Sequence, residues 1–311
     1  MGNRRIVLYG SEDNPDNREV HRQVAQYAGT VGVDYLWQPV TESGGLEAFP
    51  EADAVIAGEG SCAGQLLDEK VNCPPVLVRV CGHWTEEERD KALKKGVKLE
   101  HVAQQSEEAA AELALALILA LKRKVIRHHE QVLEGKMIRH MASQTFGTTV
   151  GIVGLENGGK QLAKWLFSMG CRVLVWQPET VGVRASSPLG LEDLTREADI
   201  ISLHISYEEV KRTVVDEAFL DRMKRTAVLV NIGDGRIVDT DMLFTALKEK
   251  RIEAAALDTL PREIIEGDNP FLAVRNVILT PGIGRMTREA KVRQGCAAVA
   301  AAVKLLEQTN G

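Results

Sequence analysis

The stretch Thr149-Val-Gly-Ile-Val-Gly154-Leu-Glu156-Asn157-Gly158-Gly159-Lys160 combines residue types and spacing that could do chemistry. A β-branched run leads into it and an amphipathic pattern follows. In that setting a glycine-rich turn brings backbone N–H groups to a dinucleotide pyrophosphate at a helix N-terminus. The same residues fit a phosphate-loop spacing, but Gln161 stands where magnesium binding needs Ser or Thr, which disfavours a kinase or NTPase. The five cysteines, Cys62, Cys73, Cys81, Cys171 and Cys296, have no Cys-x-x-Cys or Cys/His ligand spacing, so no metal is expected and a reducing cytoplasm fits. The basic residues Lys122-Arg123-Lys124 and Arg127-His128-His129 read as a solvated helix end.

The elements that must hold such a turn are short β-branched runs alternating with helical patterns, the signature of parallel βαβ units. Strands are predicted at Arg5 to Tyr9, Ala54 to Ala57, Val76 to Val80, Thr149 to Gly154, Arg172 to Trp176, Ile200 to His204, Ala227 to Asn231, Ala254 to Leu257 and Val277 to Thr280. A helix from Gln161 to Met169 presents Leu162, Leu166 and Met169 on one face and stops at Gly170. One long helix, about Ser106 to His128, separates two α/β blocks, and a last helix runs from about Thr287 to Glu307.

The chain has 311 residues, enough for roughly two domains. Lys+Arg 38 against Asp+Glu 44 gives a formal charge of -6, so no cationic field exists to hold nucleic acid or an acidic membrane. The apolar run Leu113 to Leu121 is too short to span a bilayer and reads as a buried helix, and the first residues lack a signal-peptide pattern.

The turn is joined by Ala198-Asp-Ile-Ile-Ser-Leu-His204, Leu229-Val-Asn231-Ile-Gly-Asp234-Gly235-Arg236-Ile-Val-Asp239, Ala256-Leu-Asp258 and Leu279-Thr-Pro281-Gly282-Ile-Gly284. In this order and spacing the five blocks resemble the D-2-hydroxyacid dehydrogenase family of formate- and glycerate-dehydrogenase-like proteins, over about Val76 to Glu289. The resemblance implies an α/β protein of two Rossmann-like doubly wound parallel-sheet domains with an interdomain cleft. It assigns residues 1–98 plus 289–311 to the substrate domain and 99–288 to the nucleotide-binding domain. It further implies NAD(H) or NADP(H) as cofactor, a small-molecule ligand in the cleft, and a homodimer built by the crossing helix and the arm after it.

At the chemical positions this sequence departs from the family pattern. Gly154 and Gly159 match the outer glycines of the fingerprint, whereas the middle glycine is Glu156 and the basic position beside it is Asn157. The acid that would receive the ribose hydroxyls is Gln177, and Asp258 is kept. The arginine that would polarise the substrate carbonyl is Asp234, and the histidine that would exchange the alcohol proton is Gly282. Glu263 matches the glutamate partner of that histidine, and Cys81 and His83 replace the glycines of the substrate loop.

The resemblance and its departures together point to a dismantled hydride-transfer site, repurposed for non-redox small-molecule chemistry or binding. In that reading Glu263, Asp234 and His83 carry the chemistry, with Asp234 and Glu263 as a carboxylate pair and Cys81 as a further nucleophile candidate. Gly154, Asn157, Gly159, Gln177 and Asp258 remain as cofactor contacts. One alternative is an active NAD(P)-dependent 2-hydroxyacid or 2-keto acid oxidoreductase in which Arg236 replaces the arginine and His83 the histidine. The other is a pseudoenzyme, a non-catalytic dimeric scaffold. His204, at a strand end, reads as a satisfied structural histidine, and Asp234 equally as a turn cap.

Overall fold

The computed structural model describes residues 4–10, 15–38, 51–58, 63–68, 72–80, 84–103, 105–178, 189–260 and 269–308. The chain divides into two compact units, residues 1–105 with 287–311 and residues 106–286. In chain order the first part gives β1 (Arg4–Tyr9), α1 (Pro15–Thr30), β2 (Val33–Gln38), β3 (Ala54–Ala57), β4 (Val76–Arg79), α2 (Glu86–Lys95) and β5 (Lys98–His101). Unit 2 opens with α3 (Glu107–Arg123) and α4 (Val125–Leu133), then β6 (Thr149–Val153), α5 (Gly159–Ser168), β7 (Arg172–Trp176), α6 (Leu191–Glu197) and β8 (Ile200–Leu203). It continues through α7 (Tyr207–Val210), α8 (Glu217–Arg222), β9 (Val228–Asn231), α9 (Thr240–Lys248), β10 (Ala254–Leu257) and β11 (Val277–Leu279). The last helix, α10 (Arg288–Glu307), returns to unit 1.

Unit 1 is a parallel sheet of order β2-β1-β3-β4-β5. Alternate residues of its strands feed two cores. Ile6, Leu8, Ala54, Ile56, Val76 and Val78 pack with residues of α1 and α10, while Val7, Tyr9, Val55, Ala57 and Leu77 pack with Leu66, Trp84 and Ala92. The sequence reading missed β2 and β5, which are the two edge strands. Less fully covered than the central strands, they carry polar residues such as Asp34, Gln38, Lys98 and Glu100 and lack the apolar run that marks a central strand. Pairing of β5 with β4, and the bond from Gln105 N–H to Gln294 Oε1 at 2.8 Å, carry the chain past residue 98 within unit 1.

Unit 2 is a six-stranded parallel sheet of order β11-β10-β9-β8-β6-β7. From β6 the chain moves to β7 on one side and then to β8 on the other, so the order reverses at the end of β6, where open α/β sheets bind ligands. Ile200, Val228, Val230, Ala254 and Ala256 face a core shared with Ala110, Ala114 and Ile118 of α3 and Leu162 and Leu166 of α5. Their neighbours Ile201, Leu203, Leu229, Ala255 and Leu257 face Leu194, Phe219, Leu243 and Leu247 on the opposite side. This two-sided burial explains why the strands read as continuous apolar runs.

The single crossing helix predicted to His128 is two helices. Lys124, with φ 54, is in the left-handed conformation and its N–H closes on the carbonyls of Ala120 and Leu121, so α3 ends there and α4 starts as a separate helix. Lys122, read as solvated, is buried, and Lys124 Nζ lies 3.4 Å from Glu253. Several strands also stop one residue short of their predicted ends, β6 at Val153 and β8 at Leu203 among them. Among the described residues no helix is long and apolar enough to cross a membrane.

Candidate active site

The turn from β6 to α5 is shaped by glycines whose side chains have no room. A Cβ on Gly154 would overlap Ile205, and one on Gly159 would overlap the Gly154 carbonyl oxygen. Gly158, with φ +84, would press a Cβ onto the backbone of α3 at Glu107 and Ala111. Asn157 is also left-handed, with φ 48. Glu156, at the family's middle-glycine position, is exposed, so its bulk stands outside the packed turn.

The turn is locked by His204, which is fully buried. Its Nδ1 lies 2.9 Å from the Asn157 carbonyl oxygen and its Nε2 lies 2.8 Å from Ser202 Oγ. A carbonyl only accepts, so Nδ1 carries the proton and Nε2 accepts from the serine hydroxyl. Asn157 Nδ2 returns a bond to the His204 carbonyl at 3.0 Å. Burial drives the imidazole pKa down from 6.5 to about 4, with the Asn157 bond opposing in part. His204 is therefore a neutral structural tie, and Asn157 holds the turn through its side chain.

Gln177 follows β7, and its Oε1 accepts the Leu155 N–H at 2.8 Å. The Gly154 N–H goes to the Trp176 carbonyl, while Gly159 and Lys160 N–H close on Glu156 and Leu155. The N–H groups of Glu156, Asn157 and Gly158 find no acceptor among the described residues. Three consecutive free donors at the start of a ten-residue helix, at the sheet's switch point, fit a pyrophosphate. The residues that would hold a nicotinamide dinucleotide are thus these backbone groups together with Gln177.

At the end of β9, Asp234 caps a short 3-10 turn, Gly235–Ile237, accepting the Arg236 N–H at 2.9 Å and the Tyr207 N–H at 3.4 Å. The Arg236 guanidinium returns to Asp234 through Nε at 3.1 Å and Nη2 at 2.7 Å, while Nη1 lies 3.4 Å from Glu208 Oε1. It also sits over the Tyr207 ring, 4.7 Å from the centroid. Partial burial pushes the Asp234 carboxyl up, but the Arg236 bonds and charge outweigh it and hold the group below its usual range. Glu263, the other member of the expected carboxylate pair, lies outside the described residues. Tyr207 and Glu208 were invisible as site residues in the sequence, since nothing local ties them to partners 27 and 28 positions later.

Asp258, after β10, is buried and accepts from three groups of the segment after β11: Thr280 Oγ1 at 2.6 Å, Ile283 N–H at 2.8 Å and Gly284 N–H at 2.8 Å. Its carboxylate is filled by the protein and positions the segment that carries Gly282. Gly282 itself is exposed with φ +75 and offers no proton-transfer group. The remaining candidates, Cys81, His83 and Glu263, lie outside the described residues. Among the described residues no group of three or more His, Cys, Asp or Glu side chains is arranged to hold a metal ion.

A parallel sheet with its glycine turn at the switch point defines unit 2 as a dinucleotide-binding fold. Residues 115–284 match the family model described as D-isomer specific 2-hydroxyacid dehydrogenase, NAD binding domain, and the chain belongs to that family. It is 33% identical over 216 residues to a glyoxylate reductase of Korarchaeum cryptofilum, covering 65% of this chain and 64% of that protein. A match of 28% identity covers 94% of this chain and 91% of a glyoxylate/hydroxypyruvate reductase B of Yersinia pestis. The archaeal reductases are thus spanned over less than two thirds of their length. In fold, the chain resembles D-2-hydroxyisocaproate dehydrogenase with a TM-score of 0.82 at 20% identity, over 98% of this chain and 97% of the other.

Proposed function

We propose that this protein binds a nicotinamide dinucleotide on unit 2 but has left ordinary 2-hydroxyacid chemistry, and that it binds or converts a small molecule without reducing a 2-keto acid. The observation that carries this reading is the state of Asp234 and Gly282. The first is an anion clamped by Arg236, and the second has no side chain. Carbonyl reduction needs a cation for the substrate carboxylate and an acid for the developing alkoxide. Arg236 is a poor replacement cation. To take a substrate carboxylate it would have to abandon Asp234 and loosen Glu208, leaving acidic groups beside the ligand.

Dinucleotide binding is supported by the steric economy of the turn: its glycines and the His204 tie are intact, and its three free N–H groups suit a pyrophosphate. A bound dinucleotide would supply or accept a hydride. The relatives named as glyoxylate and hydroxypyruvate reductases, one of them matched over 94% of this chain, favour a second reading, an active oxidoreductase with a rearranged acid/base.

Calorimetric titration with NADH and NADPH, followed by an absorbance assay with glyoxylate and hydroxypyruvate, separates these readings. Binding without oxidation of either cofactor is the expected result. Sustained turnover that is lost in His83→Ala would overturn the proposal in favour of the second reading. Absence of binding by every dinucleotide would leave the scaffold reading.

We also infer a homodimer built through α4 and the arm after it. Val132, Leu133, Met137, Met141 and Phe146 are 68%, 74%, 87%, 88% and 72% exposed, more apolar surface than a short segment ordinarily leaves in water. Light scattering should give twice the 34.1 kDa chain mass, and a Met137→Glu, Met141→Glu double variant should give the monomer. A monomeric wild-type protein would overturn this.

A further inference from the structure

The arm after α4 is tied down by an imidazole. At its start the Lys136 N–H closes on the Gln131 carbonyl, and further on the Ser143 N–H closes on the Lys122 carbonyl. Among the described residues, the backbone N–H groups of residues 137–142 make a single hydrogen bond, from His140 N–H to His128 Nε2 at 2.9 Å. A backbone N–H only donates, so Nε2 accepts on its lone pair and the proton of the neutral ring sits on Nδ1. Met137 and Met141, 87% and 88% exposed, flank this tether on either side.

Protonation gives His128 an N–H at both ring positions, and a donor then faces a donor. The neighbouring charges add to the effect. The His140 ring lies 5.6 Å from the His128 ring, centroid to centroid, and its Nε2 is 2.9 Å from Gln131 Nε2. Partial cover, then the charges of Arg127, His128 and Lys124, hold the His140 imidazole below its ordinary range. Carboxylates nearby are engaged elsewhere: Glu134 bonds Lys136 at 2.7 Å and feels Arg275, and Glu253 lies 3.4 Å from Lys124. Arg123, His129, Glu130 and Arg139 are exposed. Acid therefore adds positive charge to a patch that is already cationic.

We propose that His128 makes the homodimer pH-sensitive: when neutral it holds the arm that presents Met137 and Met141, and when protonated it releases the arm and weakens the association of two copies. The inference rests on the dimer reading above and adds its regulation. Association is strongest where imidazoles are neutral and falls as the pH drops through the imidazole range.

Sedimentation velocity on dilution series of the full chain at pH 7 and pH 5 tests it. His21 and His204, held down to about 4 by burial, stay mostly neutral at both. The dissociation constant of the wild-type dimer should rise about tenfold or more on acidification, the worth of a lost hydrogen bond. His128→Gln keeps an acceptor that cannot titrate, so its constant should change less than about threefold. His128→Ala has no acceptor and should show at pH 7 the weakened association of the wild type at pH 5. An unchanged wild-type constant, an equal rise in His128→Gln, or a His128→Ala dimer as tight as the wild type at pH 7 overturns the inference while leaving the dimer standing. A wild type that is monomeric at both pH values overturns the dimer reading and this inference with it.

Discussion

The turns after β6 and after β9 lie at the C-terminal ends of two strands of one sheet, and they hold their shape by different means. After β6 the determinants are buried and steric: Gly154, Gly158 and Gly159 have no space for a methyl, and His204 is enclosed with both ring nitrogens bonded. After β9 the chemistry-bearing side chains are more open, with Arg236 57% and Asp234 22% exposed, and they satisfy each other. An exchange at the first turn disturbs the seat of a helix. At the second it rearranges a partly solvated ion pair, which costs the fold little. Family chemistry can therefore be replaced at Asp234 while the scaffold persists, because the groups that do chemistry are not those that hold the strands.

The sharpest break of this contrast is Gly159→Ala. Its methyl would collide with backbone, where no rotamer relieves the overlap, so a loss of about 3 kcal/mol or more is expected in urea unfolding. A loss below about 1 kcal/mol would show that the turn yields and that the comparison is wrong. Next comes the pH dependence given by His204. Its folded pKa of about 4 lies below the ordinary 6.5, so the unfolded chain binds the proton first as pH falls. The stabilisation is complete above pH 6.5 and is lost between 6.5 and 4, about 3 kcal/mol in all. Unfolding midpoints at pH 7 and 4.5 should differ more in wild type than in His204→Gln. His21, also lowered to about 4 by burial, contributes equally to both proteins and cancels.

Asp258→Asn should cost about 2 kcal/mol in thermal unfolding, because the amide nitrogen cannot accept and leaves one of the Ile283 or Gly284 N–H groups unpaired. The smallest effect belongs to Arg236→Ala, below about 1 kcal/mol, since the pair is partly solvated and Asp234 keeps its backbone bonds as a cap. A cost of about 2 kcal/mol there would place the β9 turn with the β6 turn and erase the distinction.

The central strands and the glycine turn were legible because both are local. Strands covered on two sides show as apolar runs, and Gly154 with Gly159 marks a turn by sterics within six residues. The edge strands β2 and β5 were not legible, since incomplete cover admits Asp34 and Glu100 and blurs the pattern. Nor was the break at Lys124, where a helix-favouring residue adopts a left-handed conformation that its own propensity does not signal.

At the candidate site the sequence by itself determined which residue types occupy the chemical positions: an acid at 234, no side chain at 282, an amide at 177. Only the tertiary structure decided what those types amount to. Asp234 is an anion already compensated by Arg236, His204 is a neutral tie, and the amide of Gln177 has its oxygen spent and its donors left over. The reason is range. Backbone periodicity and glycine sterics act over a few residues, whereas charge state and hydrogen-bond direction depend on partners brought close by folding. Leu155 and Gln177 are 22 positions apart, and Asn157 and His204 are 47.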